Sequence, residues 1–178
     1  FYHGYYDCYC YLPLYVFCGR HLLVARLRRA DKDAAAGVIE EVGRVVARIR
    51  ACGPRTRILL RAVSGFARDD LMAWCEANAA GFIFGLQQNP RLVGAIEHEL
   101  ARAEARSRRT GQPERCFKSF MWSTLTSWSR RRRVVAKADH LPKGTNPRFV
   151  VTSLGAAAID SRMLYEDVYC ARGDIENR

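Results

Sequence analysis

The end of the sequence carries three side chains with complementary chemistry. Tyr169, Arg172 and Glu176 stand at positions i, i+3 and i+7. On an α-helix these positions share one face, although any amphipathic helix also shows such spacings. A carboxylate there can bind a metal ion, while a guanidinium and a phenol can bind phosphate oxygens. The spacing therefore indicates a site for a metal ion and a phosphate backbone, with Glu176 as the metal ligand.

A second segment, residues 56–68, reads Thr-Arg-Ile-Leu-Leu-Arg-Ala-Val-Ser-Gly-Phe-Ala-Arg. Its apolar run predicts a short strand that ends at a Ser64-Gly65 turn and is followed by a helix. Val63 stands at the carboxyl end of this strand. In open α/β sheets, ligands and catalytic groups gather at that end, because the N-terminus of the next helix points there. Position 63 is therefore where a site residue is expected.

Both segments resemble the DDE transposases of bacterial insertion sequences. The Tyr-x2-Arg-x3-Glu spacing resembles the signature around the third catalytic acid of that family. The Arg-Ala-Val-Ser-Gly-Phe of residues 61–66 resembles Arg-Ala-Asp-Ser-Gly-Phe around the second acid. The resemblance continues through residues 5–17, 82–85 and 149–153, so it covers essentially the whole chain. It implies that Glu176 is the third catalytic acid and that Val63 replaces the second.

The resemblance also implies a reaction, which is metal-dependent phosphoryl transfer on DNA. Two Mg²⁺ or Mn²⁺ ions would be held by three carboxylates. Valine has no lone pair to offer a hard cation. In the family the first catalytic aspartate lies upstream of the segment that matches residues 1–17, and a lysine usually follows the third acid beyond Arg178. We therefore expect an internal fragment that binds no productive metal pair and is catalytically inactive.

Positive charge is concentrated between residues 102 and 137. The chain has a net charge of +11, and this segment holds eleven Arg or Lys against two acids. The surplus is typical of a surface that binds a polyanion, although a solvated basic face has the same composition. A tryptophan there can stack on an unpaired base or lie in the core. The predicted contacts to duplex DNA at transposon ends are Tyr169, Arg172, Arg130, Arg131, Arg132, Arg133, Lys137 and Trp128.

Composition is compatible with this interpretation. A chain of 178 residues that is 49% hydrophobic can bury one ordinary core. Its seven cysteines are an odd, scattered set, which favours reduced thiols over a disulfide framework. No apolar run is long enough for a membrane span, and the start does not have the layout of a signal peptide. We expect a bacterial cytoplasmic protein associated with the nucleoid and with no membrane partner.

The order of the predicted elements is typical of the α/β class. A hairpin around Gly19-Arg20 comes first, followed by a helix capped by Asp33, and a last helix is capped by Asp160 or Ser161. The first helix ends at Gly53-Pro54. Between it and the last helix we predict two more helices, at 68–78 and 91–106. We also predict strands at 57–62, 82–84, 117–125, 132–138 and 148–153.

This order is similar to the ribonuclease H-like fold of DDE transposases. The resemblance implies a single domain over residues 1–178, incomplete because its first strand is missing. Residues 114–153 resemble the basic β-rich insertion that some of these transposases carry before the last helix.

Two hypotheses of different classes follow. The chain is either a degenerate catalytic-domain fragment or a binding protein without catalysis, which binds DNA or associates with an intact transposase or a second copy. Salt-dependent DNA binding fits both hypotheses. Metal-dependent cleavage after Val63→Asp in a full-length context would support only the first.

Overall fold

The computed structural model describes residues 2–3 and 7–171. The chain divides into two compact units, one formed mainly by residues up to Ile58 and one that begins at Leu59. The single domain over residues 1–178 stays a prediction. No disulfide joins the seven cysteines, all of which lie in the described part of the chain.

The first unit contains two antiparallel strand pairs and one helix. Strands β1 (Tyr2–His3) and β2 (Cys8–Tyr9) form the first pair. Strands β3 (Leu14–Cys18) and β4 (His21–Arg26) form the second, with Gly19 at φ +56° in the turn. The predicted hairpin around Gly19 is confirmed, but its first strand is interrupted and is regular only from Leu14 onward.

Helix α1 (Val38–Cys52) ends at Gly53, as the sequence predicts. Val38, Val42 and Val46 recur every fourth residue and are buried, because this spacing places them on one face. The prediction that Asp33 caps this helix is wrong. Gly37, at φ +73°, occupies the N-cap. Asp33 instead accepts a hydrogen bond of 2.8 Å from the Ala35 backbone N–H in the preceding turn.

The second unit is built on one five-stranded mixed sheet, in the order β5-β6-β9-β8-β7. Only the β5–β6 pair is parallel. The strands are β5 (Leu59–Ala62), β6 (Gly81–Leu86), β7 (Glu114–Trp122), β8 (Arg132–Leu141) and β9 (Gly144–Thr152). The three strands predicted in the basic segment are therefore present. They pair with β6 through β9, so this segment continues the sheet that carries position 63.

The helices of this unit are α2 (Asp69–Ala77), α3 (Pro90–Gly94), α4 (Glu97–Thr110) and α5 (Ser161–Met163), which continues as a π-helical turn over Leu164–Tyr169. The prediction of a single helix over residues 91–106 is wrong, because the helix is interrupted between α3 and α4. Gly94 weakens the helix there. In addition, Lys118 Nζ donates a 2.8 Å hydrogen bond to the Ala95 carbonyl, a group that a continuous helix would use internally.

Side chains alternate across the sheet, so each face has its own covering. Helix α4 covers one face, where Lys118 contacts Ala95 and where Arg102 Nε donates to Cys116 Sγ at 3.3 Å. The other face packs against the π-helical turn. Its core is made of Ile83, Val135, Val150, Leu164 and Tyr165.

Candidate active site and nucleic-acid interface

Position 63 lies where the sequence places it, at the carboxyl end of β5. The turn Ser64–Phe66 follows directly. Val63 has an extended backbone and its side chain is 42% exposed. Because side chains alternate along an extended chain, Val63 projects to the same sheet face as Arg61. That is the face on which the π-helical turn packs, since Arg61 Nη1 donates a 2.7 Å hydrogen bond to the Val168 carbonyl.

Tyr169 reaches the same place from the other end of the chain. The contact is made over Gly85 in β6, the strand parallel to β5. A Cβ at residue 85 would stand 2.6 Å from the Tyr169 hydroxyl oxygen, 2.9 Å from the Ser64 backbone nitrogen and 3.3 Å from the Val63 carbonyl carbon. Only a glycine leaves room for this approach. The fold therefore brings Tyr169 beside the backbone that follows position 63.

A carboxylate that the sequence analysis missed fixes the segment that carries Tyr169. Glu166 accepts hydrogen bonds from Arg115 Nη1 at 2.6 Å and from Arg162 Nε at 2.7 Å. The Arg162 and Arg115 hydrogen bonds lower the pKa of Glu166. One of these partners lies on β7 and the other one turn earlier in the same helix. The Arg162–Glu166 pair has the i, i+4 spacing of a helical ion pair and is a local signal, whereas the pairing with Arg115 is long-range and leaves none.

Tyr165, one turn before Tyr169, anchors the same segment in the core. Its ring centroid lies 6.0 Å from that of Phe117, and Lys137 Nζ lies 5.4 Å from the Tyr165 ring centroid. Burial raises the pKa of the Tyr165 phenol. Upstream, Asp160 caps the helix by accepting from the Arg162 and Met163 backbone N–H groups, which confirms one of the two predicted caps.

The four consecutive arginines do not share one environment. The Arg132 side chain is 2% exposed, with ion pairs of 2.6 Å to Asp69 and 2.9 Å to Glu76. Arg133 is also buried and donates at 3.1 Å to the Leu154 and Ile159 carbonyls. The prediction that these two arginines contact DNA does not fit their burial, because their guanidinium groups already serve protein partners.

Arg132 also affects the pKa of Asp69. Burial opposes ionisation of Asp69, but hydrogen bonds from Arg132 and Ser129 outweigh it and lower the pKa of Asp69. Ser129 donates to the same carboxylate through its backbone N–H at 3.0 Å and its hydroxyl at 3.1 Å. Asp69 thus ties the β7–β8 loop to α2, a role that helix-start spacing alone did not reveal.

The remaining predicted DNA contacts differ in their solvent exposure. Arg130 is 63% exposed and lies 3.1 Å from Glu76. Arg131 is exposed and donates to the Met121 carbonyl at 2.8 Å. Trp128 is half-buried, with the Arg132 guanidinium 5.8 Å from its ring centroid. Lys137 lies 2.6 Å from Asp139 and is mostly covered. Arg130 and Arg131 are therefore the most accessible cations of the predicted set.

Glu176 and Arg172 lie outside the described residues. Within the residues that are described, no group of three His, Cys, Asp or Glu side chains is placed to hold a metal ion. Divalent metal ions are typical of DDE transposases, but the hydrocarbon side chain of Val63 does not fit such an ion, since Mg²⁺ requires oxygen ligands.

Comparison with known proteins identifies a family for the chain. Residues 1–178, the whole chain, match the transposase DDE domain, group 1. A search of curated proteins found no match. In the part of the chain that the structure describes, no helix is both long and apolar enough to cross a membrane. Because the family match spans every residue, this chain belongs to the transposase DDE domain family, whose function is DNA transposition.

Proposed function

We propose that this chain is the catalytic domain of an insertion-sequence transposase, which binds transposon-end DNA in the bacterial cytoplasm without cutting it. The observation that carries the proposal is the placement of position 63. It lies at the tip of β5 on the face approached by Tyr169, yet it holds a valine. This placement supports a reaction-centre architecture in which a hydrocarbon side chain takes the place of an oxygen ligand.

The sheet supports a ribonuclease H-like fold as the finer description. Parallel strands β5 and β6 are joined through α2, and the residue at the tip of β5 faces the last helical segment. Catalytic groups collect at the carboxyl ends of such strands. Residues 114–153 are proposed as the insertion, built as three added strands at one side of this pair.

DNA binding is assigned to the basic groups that remain accessible. Arg130 and Arg131 stand at the end of the β7–β8 loop and can bind phosphate oxygens. Trp128 in the same loop offers an aromatic surface for stacking. The Arg132 guanidinium forms ion pairs with both Asp69 and Glu76, which holds this loop in place. Tyr169 and Arg172 are proposed as phosphate contacts near the reaction centre.

Glu176 is proposed as the surviving third acid and metal ligand. One carboxylate is insufficient for two-metal catalysis, which needs shared oxygen ligands to hold two ions about 4 Å apart. Val63 contributes none. Mg²⁺ or Mn²⁺ would therefore not be held productively, and the chain would be inactive in strand cleavage.

Strand cleavage tests the proposal. Purified chain is incubated with plasmid that carries its own flanking locus, in Mg²⁺ or Mn²⁺, beside a Glu176→Ala control. We expect equal, background nicking from both proteins. The Val63→Asp change in the full-length reading frame should give metal-dependent cleavage that Glu176→Ala abolishes. Nicking by the unchanged chain above its Glu176→Ala control would overturn the assignment of inactivity.

A further inference from the structure

Helix α4 presents a stripe of basic side chains that no role described above uses. His98, Arg102, Arg106 and Arg109 are all exposed. They stand at positions i, i+4, i+8 and i+11, which places them along one side of a helix. We call this set the α4 stripe.

The acids of α4 lie away from this stripe or are already paired. Glu104 forms a 2.6 Å ion pair with Arg108, and both residues lie on a different side of the helix from the stripe. Glu99 is largely covered and lies 3.0 Å from Lys118 Nζ and 3.6 Å from Nδ1 of His98 in the stripe. The side chains of Arg106 and Arg109 make no hydrogen bond or ion pair with any other described residue. A merely solvated helix surface would mix charges of both signs, whereas here positive charge is segregated on one side.

The dimensions of the stripe suit a phosphate backbone. Arg102 and Arg109 are separated by about 10 Å along the helix axis, at about 1.5 Å per residue. Each DNA strand presents one phosphate per about 3.4 Å of duplex axis, so three long arginine side chains can each reach a different phosphate. Ala101 and Ala105 alternate with the arginines and are exposed, which leaves room for close approach.

The stripe is distinct from the candidate reaction centre. Helix α4 covers the sheet face that carries Lys118, whereas Tyr169 packs on the opposite face over Gly85. We propose that the α4 stripe binds the phosphate backbone of duplex DNA away from the reaction centre, as a second and sequence-independent contact. This inference rests on the proposed function, because it assumes that the chain binds DNA.

Salt-dependent binding of the whole chain to a labelled random-sequence duplex tests the inference. The test variant is Arg106→Gln with Arg109→Gln. The matched control is Arg29→Gln with Arg108→Gln, which also removes two exposed positive charges, but from arginines paired with Asp31 and Glu104. Since each phosphate contact contributes about 0.9 to the slope of log K against log salt, we expect the test variant to lose about two units of slope. The control should lose less than about half of that.

Equal slopes for the test and control variants would overturn the α4 contact. A third variant, Arg130→Gln with Arg131→Gln, separates this inference from the proposed function. If that variant alone loses slope, the loop contact stands and the α4 stripe does not. If only the α4 variant loses slope, the stripe stands and the loop assignment fails. A wild-type chain that does not bind the duplex would overturn both.

Discussion

Tyr169 lies against Gly85, close enough that a Cβ at residue 85 would stand 2.6 Å from its hydroxyl oxygen. The same Cβ would meet the Ser64 backbone nitrogen at 2.9 Å, and a backbone atom cannot move aside as a side chain can. The glycine therefore allows two segments that are distant in the sequence to approach each other. It sets how closely the last helical segment approaches position 63.

Gly85→Ala should destabilise the protein by about 1–3 kcal/mol, the usual cost of overpacking a filled interior. Urea unfolding followed by circular dichroism measures this change. Gly94→Ala is the matched control, because a Cβ there would meet no atom within 4 Å and alanine favours its helix. If the two variants unfold at the same urea concentration, the close approach of Tyr169 is wrong.

Arg132→Met should destabilise the protein strongly, because it leaves the partly buried carboxylates of Asp69 and Glu76 without their shared partner. Breaking a buried pair costs about 3–5 kcal/mol, and we expect about 2–3 kcal/mol here because both acids retain some solvent. Arg130→Met is the control. That side chain is 63% exposed, so its loss should cost less than about 1 kcal/mol. Similar unfolding midpoints for both variants would contradict the anchoring role of Arg132.

The pH dependence of stability should follow the paired carboxylates. Hydrogen bonds from Arg162 and Arg115 hold the folded pKa of Glu166 below its ordinary value of 4.5, so its stabilisation is fully present above that pH and is lost as pH falls through the folded pKa. Glu166→Gln should therefore reduce the loss of stability between pH 5 and pH 3, measured by urea unfolding at several pH values. Glu97→Gln is the matched control, because it removes an exposed carboxylate that makes no ion pair with another described residue, and it should leave that profile unchanged. An unaltered profile in Glu166→Gln would refute the pairing with Arg115 and Arg162.

Local elements could be predicted from the sequence, while long-range pairing could not. The valine periodicity of α1 and the turn at Gly19 depend on neighbouring residues, and both were predicted. The break after Gly94 depends partly on Lys118, which arrives from β7. The burial of Arg132 depends likewise on acids in α2.

The candidate site shows the same division. Position 63 was placed by a strand and a turn that are local in sequence. Its approach to Tyr169 requires two distant segments and the glycine between them, and the sequence does not predict this contact. The spacing of Glu166 from Arg162 indicates a local ion pair, but its contact with Arg115 is seen only once β7 lies beside it.

The rate of alkylation should distinguish the buried Cys75 from the exposed cysteines. Burial, followed by the neighbouring Glu76 carboxylate, raises the pKa of the Cys75 thiol to about 12, so almost no thiolate forms at pH 8. Iodoacetamide at pH 8, with labelling located by peptide mass spectrometry, should modify the exposed Cys52 and Cys170 and leave Cys75 unmodified. Arg132→Met loosens the contact of β8 with α2, so Cys75 should then become labelled while Cys52 labels at its former rate. Rapid labelling of Cys75 in the unchanged, folded chain would show that α2 does not pack on the sheet as described, because burial both excludes the reagent and raises the pKa of this thiol.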